Sequence, residues 1–344
     1  MKKLLYLSII STILSSFLLS PCNVSAGSNS KIVLGYYAQD ENAYDSLITN
    51  YSYLTQVSTD SFTFDSKGKI VGSAPKEAIS FANKKNIETF AAVSNWQGDY
   101  FNAALAHKIV GDSKVRKEAI KSILNLVKTN QYKGINIDFE NIEAKDRKAF
   151  SSFIGEISQT LRPKGYLTMV SVPAEFENDP TNSWSGAFDY KELGKHADYI
   201  QVMTYDQNGP WGPSGPVAGK DWMEAAIQYT ISEIPLQKVI IGVPAYGYNW
   251  NETKKNGDII ALKEIPALIA SIGAKPEWDE SSSSISLRYQ ADDGSKHVVW
   301  YENAASIQEK THLTIKYNLA GISIWSMGTE DSGFWEAISA GLIE

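Results

Sequence analysis

Eight short apolar segments, most of them followed by a segment of helical period, constrain this chain more than any other feature. They run 32–37, 54–64, 89–93, 134–140, 167–172, 199–205, 239–244 and 319–325. Strands covered on both faces read as near-continuous apolar runs, and parallel strands need long crossovers, usually helices, to join them. The helix ahead of the fourth segment carries Ile120, Ile123, Leu124 and Val127 at half-buried spacing. The helix behind it carries Phe150, Phe153, Ile154, Ile157 and Leu161 and is closed by Pro163 and Gly165. Eight strand-helix repeats close a barrel, so the predicted fold class is α/β, a (β/α)8 TIM barrel.

Length alone leaves room for one large barrel or two smaller domains, since the chain has 344 residues and 43% apolar composition. One stretch breaks the rhythm. From Tyr248 to about Trp300 the sequence is too long for a loop and holds strand-like pieces at 284–290 and 297–300. It is read as a small α+β insertion after the seventh strand, forming a wall on a cleft rather than a second domain.

The N-terminus has a processing pattern of its own. Lys2-Lys3 precede an apolar run from Leu4 to Leu19, and Val24-Ser25-Ala26 has the form of a signal-peptidase site. The expectation is a signal peptide over 1–26, cleavage after Ala26, and a secreted or envelope-associated barrel over 27–344 with no stable membrane span after processing. The alternative is an uncleaved anchor, for which a 16-residue apolar run is short. Cleavage also removes Cys22, leaving an exported chain without cysteine whose stability rests on its core.

The processed chain keeps 30 basic and 39 acidic residues with no basic cluster, so nucleic acid is not expected as a partner. His107, His196, His297 and His312 are scattered without ligand spacing, and neither a phosphate-cradling glycine loop nor a Gly-x-Ser-x-Gly elbow is present. No metal and no cofactor are expected.

In such barrels chemistry gathers at the C-terminal strand ends. The fourth segment, Gly134-Ile135-Asn136-Ile137-Asp138-Phe139-Glu140, places Asn136, Asp138 and Glu140 on one face and Ile135, Ile137 and Phe139 on the other. Two acids on so apolar a strand are either functional or mark a strand end surfacing into a loop. Tyr205-Asp206-Gln207 ends the sixth segment, Tyr246 follows the seventh and Trp325 ends the eighth, each a packing residue or part of the same site.

The fourth segment resembles the Asp-Gly-x-Asp-x-Asp-x-Glu signature of glycoside hydrolase family 18, matching it at Gly134, Asp138 and Glu140 and departing at Lys133 and Asn136. With Met203-Thr204-Tyr205-Asp206-Gln207 and the Gly-Pro-Trp-Gly-Pro run behind it, the chain is similar to the bacterial branch that includes spore peptidoglycan N-acetylglucosaminidases, from about Lys31 onward. Ser94-Asn95-Trp96 stands where chitinases of the family show Ser-x-Gly-Gly.

The resemblance implies a monomeric glycosidase cleaving β-1,4 bonds after N-acetylglucosamine, in peptidoglycan first and chitin second. A barrel that only holds glycans is the non-catalytic alternative. It implies Glu140 as general acid and base, the substrate's own acetamido oxygen as nucleophile, Asp138 orienting the acetamido N–H, and Tyr205 steadying its carbonyl. Trp325 becomes the sugar's floor, Met203 and Asp206 line the pocket, and Tyr36 lies beneath the acids. Trp211, in the rigid Asn208–Pro216 loop, and Trp96 become stacking candidates. Because Asn136 donates a hydrogen bond but stores no proton, Asp138 is expected to stay ionised, with a simple acid limb in the pH profile.

Overall fold

The computed structural model describes residues 31–38 and 41–343. The proposed signal peptide and Cys22 lie outside the described residues. Eight strands form the barrel: β1 (Ile32–Ala38), β2 (Gln56–Phe64), β3 (Glu88–Ser94), β4 (Gly134–Asp138), β5 (Leu167–Pro173), β6 (Tyr199–Met203), β7 (Val239–Pro244) and β8 (Gly321–Trp325). Each pairs in parallel with its neighbours, and β1 pairs with both β2 and β8, so the sheet closes. The eight apolar segments therefore lie where the sequence placed them, with ends shifted by one or two residues in either direction.

The alternation along β4 shows how barrel and helices share the strand. Ile135 and Ile137 point outward into the layer between barrel and helices, joined by Phe139 just past the strand end. Phe139 sits among Phe64, Phe150 and Phe153 with ring centroids 5.9, 6.2 and 6.0 Å away. Burying such a ring stabilises by about 2–3 kcal/mol, which anchors the chain immediately before Glu140. Inside the barrel, Leu34, Tyr36, Phe90, Met169 and Ile240 pack its floor. Above that floor the interior turns polar, with Ser58, Asn136, Ser171, Gln201 and Ser323 all buried.

The insertion runs from Tyr246 to Tyr301 and is an antiparallel five-stranded sheet with one helix, Ile265–Ile272. Its first strand, Tyr246–Asn251, leaves β7 directly and packs Tyr246, Tyr248 and Trp250 edge to face at 5.5 and 5.6 Å. The fully buried Lys310 on the helix Ala304–Lys316 binds Glu302 and donates to Ser284 Oγ at 2.8 Å, fastening sheet to barrel. Among the described residues no helix is long and apolar enough to cross a membrane.

Candidate active site

A cleft of about 1280 Å³ opens at the C-terminal ends of the strands. Its lining contains Tyr36, Trp96, Asp138, Glu140, Met203, Tyr205, Asp206, Gln207, Trp211 and Trp325, ten residues named from the sequence. Two others stand behind it. Asn136 lies wholly buried one step below Asp138, and Tyr246 is buried behind Asp206. Their effects reach the cleft through the residues they hold.

Glu140 extends past the paired part of β4, because pairing with β3 stops at Ser94 and Asp138. The Asn95 side chain takes over there. Its Oδ1 accepts the Glu140 N–H at 2.9 Å and its Nδ2 donates to the Glu140 carbonyl at 2.8 Å and to the Asn102 carbonyl at 3.1 Å. An amide side chain thus supplies the hydrogen bonds that the neighbouring strand no longer makes, and it is fully buried.

Below the acids a hydrogen-bonded layer spans the barrel. Asn136 Nδ2 donates to Tyr36 Oη at 2.7 Å, and Asn136 Oδ1 accepts from Ser171 Oγ at 3.2 Å. Tyr36 Oη in turn donates to Gln201 Oε1 at 3.3 Å, and Gln201 Nε2 donates to Ser323 Oγ at 3.0 Å. Trp325 stands edge-on to Tyr36 with centroids 5.3 Å apart, floored by that layer.

On the insertion side, Asp206 has φ of +59°, a left-handed conformation that Asp tolerates better than most side chains. Its Oδ1 accepts from Tyr246 Oη at 2.5 Å and from Tyr248 Oη at 2.9 Å. Tyr205 lies against Gly242 of β7, where a Cβ would come within 2.5 Å of its ring, so only glycine lets the ring lie there.

The electrostatics favour protonated acids. Burial, then the nearby Asp138, Asp206 and Asp60 carboxylates, push Glu140 well above the ordinary carboxyl range. Burial and Asp60 push Asp138 up to about 7, against a hydrogen bond from Ser171. Burial raises Asp206, opposed by its two tyrosine donors. The expectation that Asp138 is plainly ionised therefore gives way, because β2 contributes an acid that the reading of β4 alone did not include.

Asp60 is the main residue that sequence reasoning missed, and its signal was an acid in the middle of a barrel strand at an inward position. Trp184 and Trp222 also line the cleft, and Phe176 tilts against Trp222 at 5.7 Å. These aromatics come from a long connection after β5 and a helix after β6, and no local pattern marks them. The stacking candidates stand free: Trp96 is 42% exposed on a two-stranded hairpin against Phe101, and Trp211 is 74% exposed. Trp250 Nε1 donates to the Gly209 carbonyl at 3.2 Å, tying the Trp211 loop to the insertion.

The cleft of a closed barrel, with a carboxyl just past β4 over an aromatic floor, is matched by sequence: the model of the glycosyl hydrolases family 18 matches residues 32–330. The chain belongs to that family. Similar proteins include the uncharacterized glycosylase YvbX of Bacillus subtilis, 39% identical over 315 residues, covering 90% of this chain and 91% of the relative. The cortical fragment-lytic enzyme of Bacillus subtilis is 25% identical over 291 residues, covering 83% of this chain and 68% of the relative. Among solved structures, a chitinase from Chromobacterium violaceum superposes with TM-score 0.87 at 36% identity, covering 91% of this chain and 99% of its own. Family 18 membership makes the protein a glycosidase, and the cleft is its candidate active site.

Proposed function

We propose that this family 18 glycosidase is exported and cleaves β-1,4 bonds after N-acetylglucosamine, with the glycan strand of peptidoglycan as its first substrate. The observation that carries the reading is the pair Asp138 and Glu140, set one above the other at the end of β4 in a cleft floored by Trp325. Glu140, held neutral by its surroundings, donates its proton to the glycosidic oxygen as that bond breaks, and the acetamido oxygen of the same sugar closes on the anomeric carbon. Asp138 receives the acetamido N–H and offsets the positive charge of the resulting oxazolinium, while the Tyr205 hydroxyl donates to the acetamido oxygen. Glu140, now a carboxylate, takes a proton from the water that reopens the ring, and configuration is retained.

Asn136 and Tyr246 act from behind in this scheme, one beneath Asp138 and one on Asp206. Met203 and Gln207 complete the pocket wall, and Trp96 and Trp211 stack on sugars further along the cleft. The described residues lining the cleft include no Lys, Arg or His, which favours neutral sugars over stretches bearing anionic peptide stems. Chitin is the second reading, favoured by the 36% identity to a chitinase across nearly its whole length.

Mass spectrometry of products from purified peptidoglycan and from chitin oligomers, digested with wild type and with Glu140→Gln, decides between them. Fragments ending in reducing N-acetylglucosamine from peptidoglycan, absent with the variant, support the proposal. Release from chitin alone moves the assignment to chitinase, and no product from either sinks the mechanism.

A further inference from the structure

Asn136 is committed on every side, so the position directly below Asp138 has no proton to lend. One of its contacts is informative about the strands themselves. Asn136 Nδ2 reaches Ser58 Oγ on β2 at 3.4 Å, across β3. Both β2 and β4 run parallel to β3, so a step of two residues lifts each by the same roughly 6.6 Å and returns to the same face. Across the tilted barrel the interior layer above Ser58 and Asn136 therefore holds Asp60 and Asp138, although along the hydrogen-bonded ladder Asp60 is level with Asn136 and Asp138 with Thr63. In register between Asp60 and Asn136 on β3 stands Ala92, whose methyl leaves the space between the strands open. Asp60 lines the cleft together with Asp138 and Glu140.

We propose that Asp60 is the group with which Asp138 shares a proton, doing from β2 what a carboxyl at position 136 would do from β4. The proposal rests on the substrate-assisted reading above. Two adjacent carboxyls without a counter-ion, Asp138 buried and Asp60 half-buried, titrate as a pair that holds one proton between them. As positive charge develops on the sugar, the proton passes from the Asp138 carboxyl to the Asp60 carboxylate. The pair's total charge of minus one is unchanged, but the negative end now faces the cation. When water opens the ring and the neutral sugar leaves, the proton returns to Asp138.

The other titratable groups around Asp138 are Tyr36 of β1, Glu140 at its own strand end, and Tyr205 and Asp206 beyond β6. None is a cation that would hold Asp138 ionised, Glu140 is already the proton donor of the reaction, and Asp206 is held by the hydroxyls of Tyr246 and Tyr248. β5 contributes only the hydroxyl of Ser171. Asp60 touches no sugar in this scheme, so it is a positioning residue acting through Asp138.

The test is a carboxyl ¹³C NMR titration of Asp138, with its signal assigned from Asp138→Asn. It is paired with kcat and KM against pH on an aryl β-glycoside of an N-acetylglucosamine oligomer. In Asp60→Asn, removal of the like-charged neighbour lowers the Asp138 midpoint by about one unit or more. kcat falls about tenfold to a hundredfold while KM changes little, and adding Asn136→Asp restores both midpoint and most of kcat. An unmoved midpoint, an unmoved kcat, or a loss that Asn136→Asp does not relieve overturns the proposal.

Should Asp60→Asn not fold, Asn136→Asp alone decides. With Asp60 already in place, a third carboxyl raises the Asp138 midpoint further and lowers kcat, whereas a rise in kcat refutes the pairing. A wild type that cleaves no glycan defeats the catalytic reading instead, and the NMR midpoints still decide whether the two carboxyls are coupled.

Discussion

Truncating Asn95 to alanine tests whether the glutamate at the end of β4 is held by the amide clamp or by its own strand. The substitution removes three hydrogen bonds, two to the Glu140 backbone and one to the Asn102 carbonyl, from a fully buried site. At roughly 1 kcal/mol net for each neutral bond, the loss is about 3 kcal/mol, and more if water cannot reach the orphaned groups. For a chain of this size that lowers Tm by roughly 4–5 °C. Catalysis suffers separately. A catalytic group displaced by about 1 Å costs on the order of a hundredfold in rate. Urea titration and steady-state kinetics well below the new Tm separate the two effects, with kcat falling far more than KM rises. A variant that loses the stability but keeps kcat within about twofold of wild type would show that the Phe139 anchor alone positions Glu140, and the clamp argument would be refuted.

Three further substitutions follow from other parts of the molecule. Lys310→Met leaves Glu302 buried without its cation and destabilises by about 3–5 kcal/mol, whereas Lys310→Met with Glu302→Leu recovers most of it; equal urea midpoints for the two would contradict this. Burial pushes Glu175 up to about 8 against the pull of Arg147, so the folded state binds more protons than the unfolded state from the ordinary 4.5 upward. Stability therefore falls as pH rises through that window, and Glu175→Gln makes the slope of urea midpoint against pH shallower, leaving the share of Asp138 and Glu140; a slope identical to wild type would assign none of it to Glu175. Gly242→Ala drives a Cβ to within 2.5 Å of the Tyr205 ring and lowers kcat about tenfold or more with far-UV circular dichroism unchanged; wild-type kcat would mean that the ring's seat does not matter.

The barrel was legible because its cause is local. Apolar runs of strand length separated by helices of 3.6 period can bury their surface in few ways, and eight of them close on themselves. β4 was legible for the same reason: period two separates Ile135, Ile137 and Phe139 from Asn136, Asp138 and Glu140, and the structure buries the first set against the helices and turns the second inward. The insertion announced itself by length and by a change of rhythm, although its edge falls at Tyr246 rather than Tyr248 because the strand leaves β7 without a loop.

What the sequence could not state is which side chains meet across the barrel. Asp60 precedes Asp138 by almost eighty positions and by register is level with Asn136, so only the tilt of the strands in the closed barrel brings the two carboxyls into one cleft wall. Asn95 fell at an unrestricted position of a motif and carried no signal until the end of β3–β4 pairing showed what its amide replaces. Tyr246 reads as a strand-end residue in sequence, and the left-handed turn at Asp206 is what brings their side chains together. Local periodicity determined the elements and the faces they bury. Closure of the sheet, which fixes stagger between strands distant in sequence, decided which acids share a field.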